Sequence, residues 1–132
     1  MLALLDVIEQ TNGEARLRRA TLLFQLKRML TAHALAEEDI IYPMLRDDAH
    51  REDMASQLYR EHAEMKVHLF ELEHRDKSDS RWIGKLRELR GIIADHARQE
   101  EESEFPRLRS ALGGNAKSRL MGEIGREKAL LL

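Results

Sequence analysis

The sequence predicts an all-α protein, an up-down-up-down four-helix bundle with a short first helix and an extra C-terminal helix. Three observations carry this. Leu, Ala, Glu and Arg are abundant while aromatic residues make up 5% of the chain and there are two prolines, a balance that favours helix and leaves no segment that needs to be a strand. Apolar residues recur at three- and four-residue spacing in segments separated by short turn signals. Finally, the chain repeats itself, and both copies of the repeat fall on the predicted inner face of a helix.

In order, the first helix carries Leu2, Leu5 and Ile8 at helical spacing and ends at the turn signal Thr11-Asn12-Gly13. The second runs from about Glu14 to Ile41 with the stripe Leu23, Leu26, Leu30, His33, Glu37 and Ile40, and Pro43 is expected to break or kink it. A charged loop over Arg46–Asp53 precedes the third helix, whose stripe is Met54, Leu58, His62, Met65, Leu69 and Leu72. After a turn over Lys77–Ser80, with Ser78 or Ser80 as the expected N-cap, the fourth carries Trp82, Leu86, Leu89, Ile93, His96 and Glu100. Pro106 takes the part of Pro43, and Gly113-Gly114 closes the segment. The bundle thus spans residues 1–112. Residues 113–132 form the additional helix, capped by Asn115, with Leu120, Met121, Ile124 and Leu131 facing the bundle or a partner. Short connections between long helices make neighbours antiparallel.

The repeat joins His33–Arg46 to His96–Arg109 at a constant offset of 63 residues, with seven of fourteen positions identical and Tyr42 exchanged for Phe105. Residues four apart share a helix face, so His33 and Glu37 point together, as do His96 and Glu100. With Glu this common, a given His has roughly a one-in-eight chance of a Glu four places on, and two lone pairs would prove little. The second Glu, the aromatic residue, the Pro, the Leu and the Arg all in register are not supplied by chance. His62 lies mid-stripe on a third helix. His33, Glu37, His62, His96 and Glu100 therefore interrupt apolar faces, where polar groups are costly unless paired or metal-bound. A metal centre satisfies all five at once; a hydrogen-bonded His–Glu network is the plainer alternative.

Composition narrows the chemistry. The 22 basic and 24 acidic residues are intermixed and leave a net charge of −2, so nucleic acid and anionic membranes are not expected partners. There is no cysteine, which excludes disulfides, iron–sulfur clusters and thiol catalysis. No apolar run reaches membrane-span length and none reads as a signal peptide, so a soluble, cytoplasmic protein is expected. No nucleophile, phosphate loop or separate acid–base pair suggests an enzyme.

These residues resemble the haemerythrin-like, or HHE cation-binding, domains. The doublets Glu37-Glu38 and Glu100-Glu101, the Tyr42-Pro43 and Phe105-Pro106 pairs and Glu61-His62 share that family's pattern over about residues 2–112. The resemblance implies a carboxylate-bridged, usually di-iron, centre in a four-helix bundle. By it Glu37 and Glu100 would bridge while His33, His62 and His96 would be terminal ligands; zinc or manganese could take the same set. It further implies binding, sensing or handling of oxygen, peroxide or nitric oxide, or iron storage. Two departures stand out. The family's first-helix His has no counterpart, because the 63-residue offset places it just before Met1. Either the start is misplaced or lost, or this chain holds metal weakly, partially or not at all and is a metal-free helical interaction module. Lys66 stands where oxygen carriers of the family have another His, which argues against reversible oxygen transport.

His50, His68 and His74 lie off the stripe or near helix ends and are expected to be ordinary. Glu38, Glu101, Glu102 and Glu104 read as a solvated acidic face, Glu38 and Glu101 bordering the site. Trp82 and Phe24 read as core. The short first helix leaves the stripe around Glu37, Ile40 and Ile41 without a wall. The expected covers are the fifth helix, the Leu130-Leu131-Leu132 tail, or a second molecule in a two-fold homodimer.

Overall fold

A computed structural model describes the backbone of residues 1–131 and the side chains of residues 1–126. Helix α1 spans Leu2–Glu9, α2 Arg16–Ala36, α3 Tyr42–Asp47, α4 Glu52–His74, α5 Trp82–Gln99, α6 Phe105–Ala111 and α7 Gly114–Leu131, with no strand among the described residues. Between α2 and α3, and again between α5 and α6, five residues form a turn of π-helix, Glu37–Ile41 and Glu100–Glu104. Helix α1 packs on α2 and α5, and α4 packs on the same two from the other side, which closes the four-helix bundle.

Of the expected break or kink, the prolines make no break: each long helix continues through a wider turn. Pro43 has no N–H for the carbonyl of Asp39, and its ring would collide with that carbonyl in a regular α-helix. The π turn places the extra residue there, and the Tyr42 N–H bonds the carbonyl five residues back, at Glu37. Phe105 does the same to Glu100 before Pro106. One consequence is a shift of register. In a wider turn, the residue above Glu37 is Ile41, which is buried, while Ile40 moves to the edge. A second is an orphan carbonyl: that of Glu38 has lost Tyr42 to Glu37, and its π-helical partner would be Pro43. The hydroxyl of Tyr59 fills the gap, donating to the Glu38 carbonyl at 3.0 Å.

Other expectations are corrected in the same terms. Leu2 is exposed because the inward face of α1 is Met1, Leu5 and Ile8, spaced four and three apart. Phe24 and Met121 are exposed, each turned about 100° from the buried Leu23 and Leu120 beside it. Met54 is half-buried, and Ala55 takes its inward place. The charged loop shrinks to residues 48–51 because α3 continues through Asp47. Neither Ser78 nor Ser80 caps α5; the carboxylate of Asp79 accepts from the Arg81 backbone N–H at 2.8 Å. Asn115 falls inside α7, which starts at Gly114 with a positive φ of 56°. Leu131 and the Leu130-Leu131-Leu132 tail lie outside the described side chains.

Two apolar clusters fill the bundle. The first joins Met1, Leu5 and Ile8 to Leu23, Leu26, Leu30, Met65, Leu69, Leu72, Trp82, Leu86, Leu89 and Ile93. Its outer end is closed by Arg19, which is buried and donates to the Thr11 carbonyl at 2.8 Å and to the Lys77 carbonyl, with its guanidinium 5.0 Å from the Trp82 ring centre. The two loops so joined come close enough that a Cβ on Gly13 would sit 2.9 Å from the Ser78 carbonyl oxygen. The second cluster joins Ile41, Tyr42, Leu45, Ala55, Leu58, Phe105 and Leu108 to Leu120 and Ile124 of α7. Helix α7 is thus one of the covers the short first helix called for.

Candidate metal centre

Chain order fixes where the polar residues lie. On α2 and its π turn, Leu30 belongs to the first cluster and Ile41 to the second, with His33 and Glu37 between them. On α4, His62 lies between Leu58 of the second cluster and Met65 of the first. On α5 and its π turn, His96 and Glu100 lie between Ile93 and Phe105. All five sequence-predicted ligands therefore meet in one layer between two apolar cores, and all five are buried, Glu37 completely (0% exposed).

The three imidazoles turn their Nε2 atoms to one carboxylate oxygen. Glu37 Oε1 lies 2.8 Å from His33 Nε2, 3.0 Å from His62 Nε2 and 3.5 Å from His96 Nε2. His96 Nε2 is also 3.2 Å from Glu100 Oε1 and 3.1 Å from His62 Nε2. His33, Glu37, His96 and Glu100 each offer a ligand atom within 4.8 Å of all the others. Each π turn begins at a candidate ligand, Glu37 or Glu100, so the geometry that admits the proline also sets the carboxylate.

Outer partners complete the layer. Glu61 Oε1 accepts from His96 Nδ1 at 2.9 Å, fixing the ring so that Nε2 faces inward. Glu38 approaches His62 Nδ1 at 3.6 Å, beyond hydrogen-bond range. Glu101 is exposed. Glu104, expected on a solvated face, is buried and clasped by Arg51 through bonds of 2.8 and 3.1 Å. His68, half-buried, and His74, exposed, stay apart from the site, and His50 lies exposed in the loop with a positive φ of 53°.

The layer also contains a group that ligand spacing could not find. The Tyr42 hydroxyl lies 3.1 Å from His62 Nε2 and 3.0 Å from His96 Nε2, and donates to Glu100 Oε2 at 2.8 Å. The signal was its exchange for Phe105 between the two copies.

So many acceptors in one dry layer polarise one another's titration. Burial alone would raise the Glu37 carboxyl, but hydrogen bonds from Glu100, His33, His62 and His96 hold it well below the usual carboxylate range. Glu100 goes well above it through burial and the Glu37 charge. Burial would lower His96, yet its bonds to Glu100 and Glu37 win and push it up to about 11. The Tyr42 phenol is driven up by burial and by the charges of Glu37 and Glu100. Protons thus hold Glu37, His96 and Glu100 together. Glu37 Oε2, His33 Nδ1 and His62 Nδ1 are nevertheless buried without a hydrogen-bond partner, and two Nε2 atoms face each other. Three imidazoles and two carboxylates with a free oxygen lone pair are the donor types that Fe, Zn and Mn share. The residues fit a metal.

Fold and site together define a helical bundle with a buried His–carboxylate cation site. A family model, the hemerythrin HHE cation binding domain, matches residues 1–108, and the chain belongs to that family. A protein of Nostoc sp. named DNA nickase is 38% identical over 88 residues, a match covering 67% of this chain and 25% of that protein. No solved structure matches the chain significantly.

Proposed function

We propose that the protein holds a carboxylate-bridged pair of non-haem iron ions in this layer and uses them to bind or sense a small oxygen or nitrogen species. Glu37 and Glu100 are the bridging carboxylates, and His33, His62 and His96 the terminal ligands. The observation that carries this is the convergence of three Nε2 atoms and two carboxylates, from three separate helical segments, between two apolar cores. Mixed imidazole and carboxylate ligation without thiolate favours iron over soft-ligand chemistry, with zinc and manganese as its competitors. Bound iron would supply redox and Lewis-acid chemistry. The chain supplies the dry walls, the ligand orientation through Glu61, and access.

Access supports a small ligand. A cavity of about 30 Å³ between α2 and α4 is lined by Leu30, Ala34, Met65 and Leu69 and abuts His33 and His62, with Lys66 at its rim. A water needs roughly 10–15 Å³, so there is room for a diatomic molecule or peroxide. Adding azide or nitric oxide to iron-loaded protein is expected to shift the ferric or ferrous absorption; no shift at saturating ligand would refute this use of the site.

A metal-free interaction module is the second reading. Leu17, Phe24, Val67 and Phe70 are exposed on the outer faces of α2 and α4 and favour it. The nicking activity named for the Nostoc relative is not carried over, since the match covers a quarter of that protein. No helix among the described residues is long and apolar enough to cross a membrane.

A further inference from the structure

Tyr42 is fully buried, and its hydroxyl sits among ligand candidates from two other parts of the bundle. We propose that Tyr42 is itself a metal ligand, its phenol oxygen binding the ion held by His62, His96 and Glu100. The inference rests on the iron reading above.

Three observations carry it. First, a phenol has one proton and needs one acceptor. Glu100 Oε2 accepts that proton at 2.8 Å, yet the phenol oxygen also lies 3.1 and 3.0 Å from two imidazole nitrogens that are 3.1 Å from each other. The phenol oxygen and the two imidazole nitrogens thus lie within 3.1 Å of one another, with a carboxylate oxygen of Glu100 2.8 Å from the phenol oxygen. Second, the position is held. The Tyr42 N–H closes the π turn onto Glu37, and the ring is wedged edge-on against Tyr59 at 5.2 Å and lies tilted against His62 at 5.3 Å. Third, packing does not require the oxygen. Phe105 occupies the matching place in the second half, also buried, and fills its space with a bare ring.

The chemistry balances without an oxidant. The phenol O–H bond breaks, an oxygen–metal bond forms, and the displaced proton is released to solvent; the oxidation state of the metal is unchanged. A phenolate is a hard anionic oxygen donor. It favours a ferric ion and makes the two metal positions unequal, because the Phe105 half offers no such oxygen.

Loading the full chain with ferric iron tests this. The expected result is a visible phenolate-to-iron charge-transfer band and, with excitation in that band, the ring vibrations of a coordinated phenolate in resonance Raman. Tyr42→Phe loses both while its iron content falls less than two-fold, and Tyr59→Phe keeps both. Iron bound by the unaltered chain without the band or the ring vibrations would overturn the Tyr42 assignment and leave the metal reading standing. A chain that takes up no iron would overturn both. Should Tyr42→Phe fail to fold, Tyr59→Phe carrying deuterated tyrosine replaces it: ring vibrations that persist and shift with the isotope support Tyr42, and their loss overturns the assignment.

Discussion

Ile41 and Glu104 occupy the same place in the two halves of the molecule, each buried one π turn beyond a Glu of the buried layer, yet one is hydrocarbon and the other a carboxylate. Glu104 is tolerated there because Arg51, at the start of α4, grips both its oxygens at 2.8 and 3.1 Å. Removing one partner strands a buried charge, which costs about 3 kcal/mol, whereas an apolar pair in the same space is close to neutral. Arg51→Met is therefore expected to lower stability by about that amount, and Arg51→Met with Glu104→Ile to recover most of it. Denaturant titration of the two single variants and the double variant checks the cycle; additive losses would contradict it.

Glu100 and Glu101 are neighbours in sequence and opposites in the fold. Glu100 reaches His96 and Tyr42 in the buried layer, while Glu101 faces solvent. Glu100→Ala is expected to lose at least half of the bound metal and Glu101→Ala almost none, measured by elemental analysis after equilibrium dialysis. Equal losses would overturn the bridging role.

Metal uptake competes with protons. Metal needs a neutral His96, whose proton is held in the metal-free protein up to about pH 11 by Glu100 and Glu37. Affinity should therefore rise with pH across the neutral and alkaline range, and binding should release protons. The same shift has the opposite sign for the metal-free fold: a His raised above its unfolded value near 6.5 contributes stability that is complete below that pH and is lost as pH rises toward 11. Calorimetry in buffers of different ionisation enthalpy counts the released protons, and a count of zero would refute the proton-held cluster.

Helix α7 covers the second apolar cluster with Leu120 and Ile124, both buried. Leu120→Ala is expected to cost about 2–4 kcal/mol, as for other buried leucines, whereas Met121→Ala, on the exposed side, should be nearly silent. Thermal melts of the two variants compare them directly. Equal effects would mean that α7 does not pack as described.

Much of this was legible in the residues. Helical stripes on four segments gave the bundle, and a 63-residue repeat picked out four of the five residues of the buried His–Glu layer, because burial and side-chain direction follow helical periodicity. What escaped was whatever a regular α-helix misstates. A proline tolerated by a π turn looks like a helix end, and the extra residue moves Ile41 inward in place of Ile40. Glu104 looked solvated because its partner Arg51 lies 53 residues away in sequence. Tyr42 read as part of a motif and not as a donor, because its hydroxyl finds His62, His96 and Glu100 only after the π turn aims it. Phe24 shows the opposite error, an aromatic residue counted as core although it lies a third of a turn from its stripe.

Iron stoichiometry tests the central claim most directly. Protein freed of metal, incubated anaerobically with ferrous iron, then exposed to air and desalted, is expected to retain close to two irons per chain and to gain the near-ultraviolet absorption of a coupled ferric pair. Retention of less than about half an iron per chain without that absorption would contradict it, and the buried His–Glu layer would then be a hydrogen-bonded network of an interaction module.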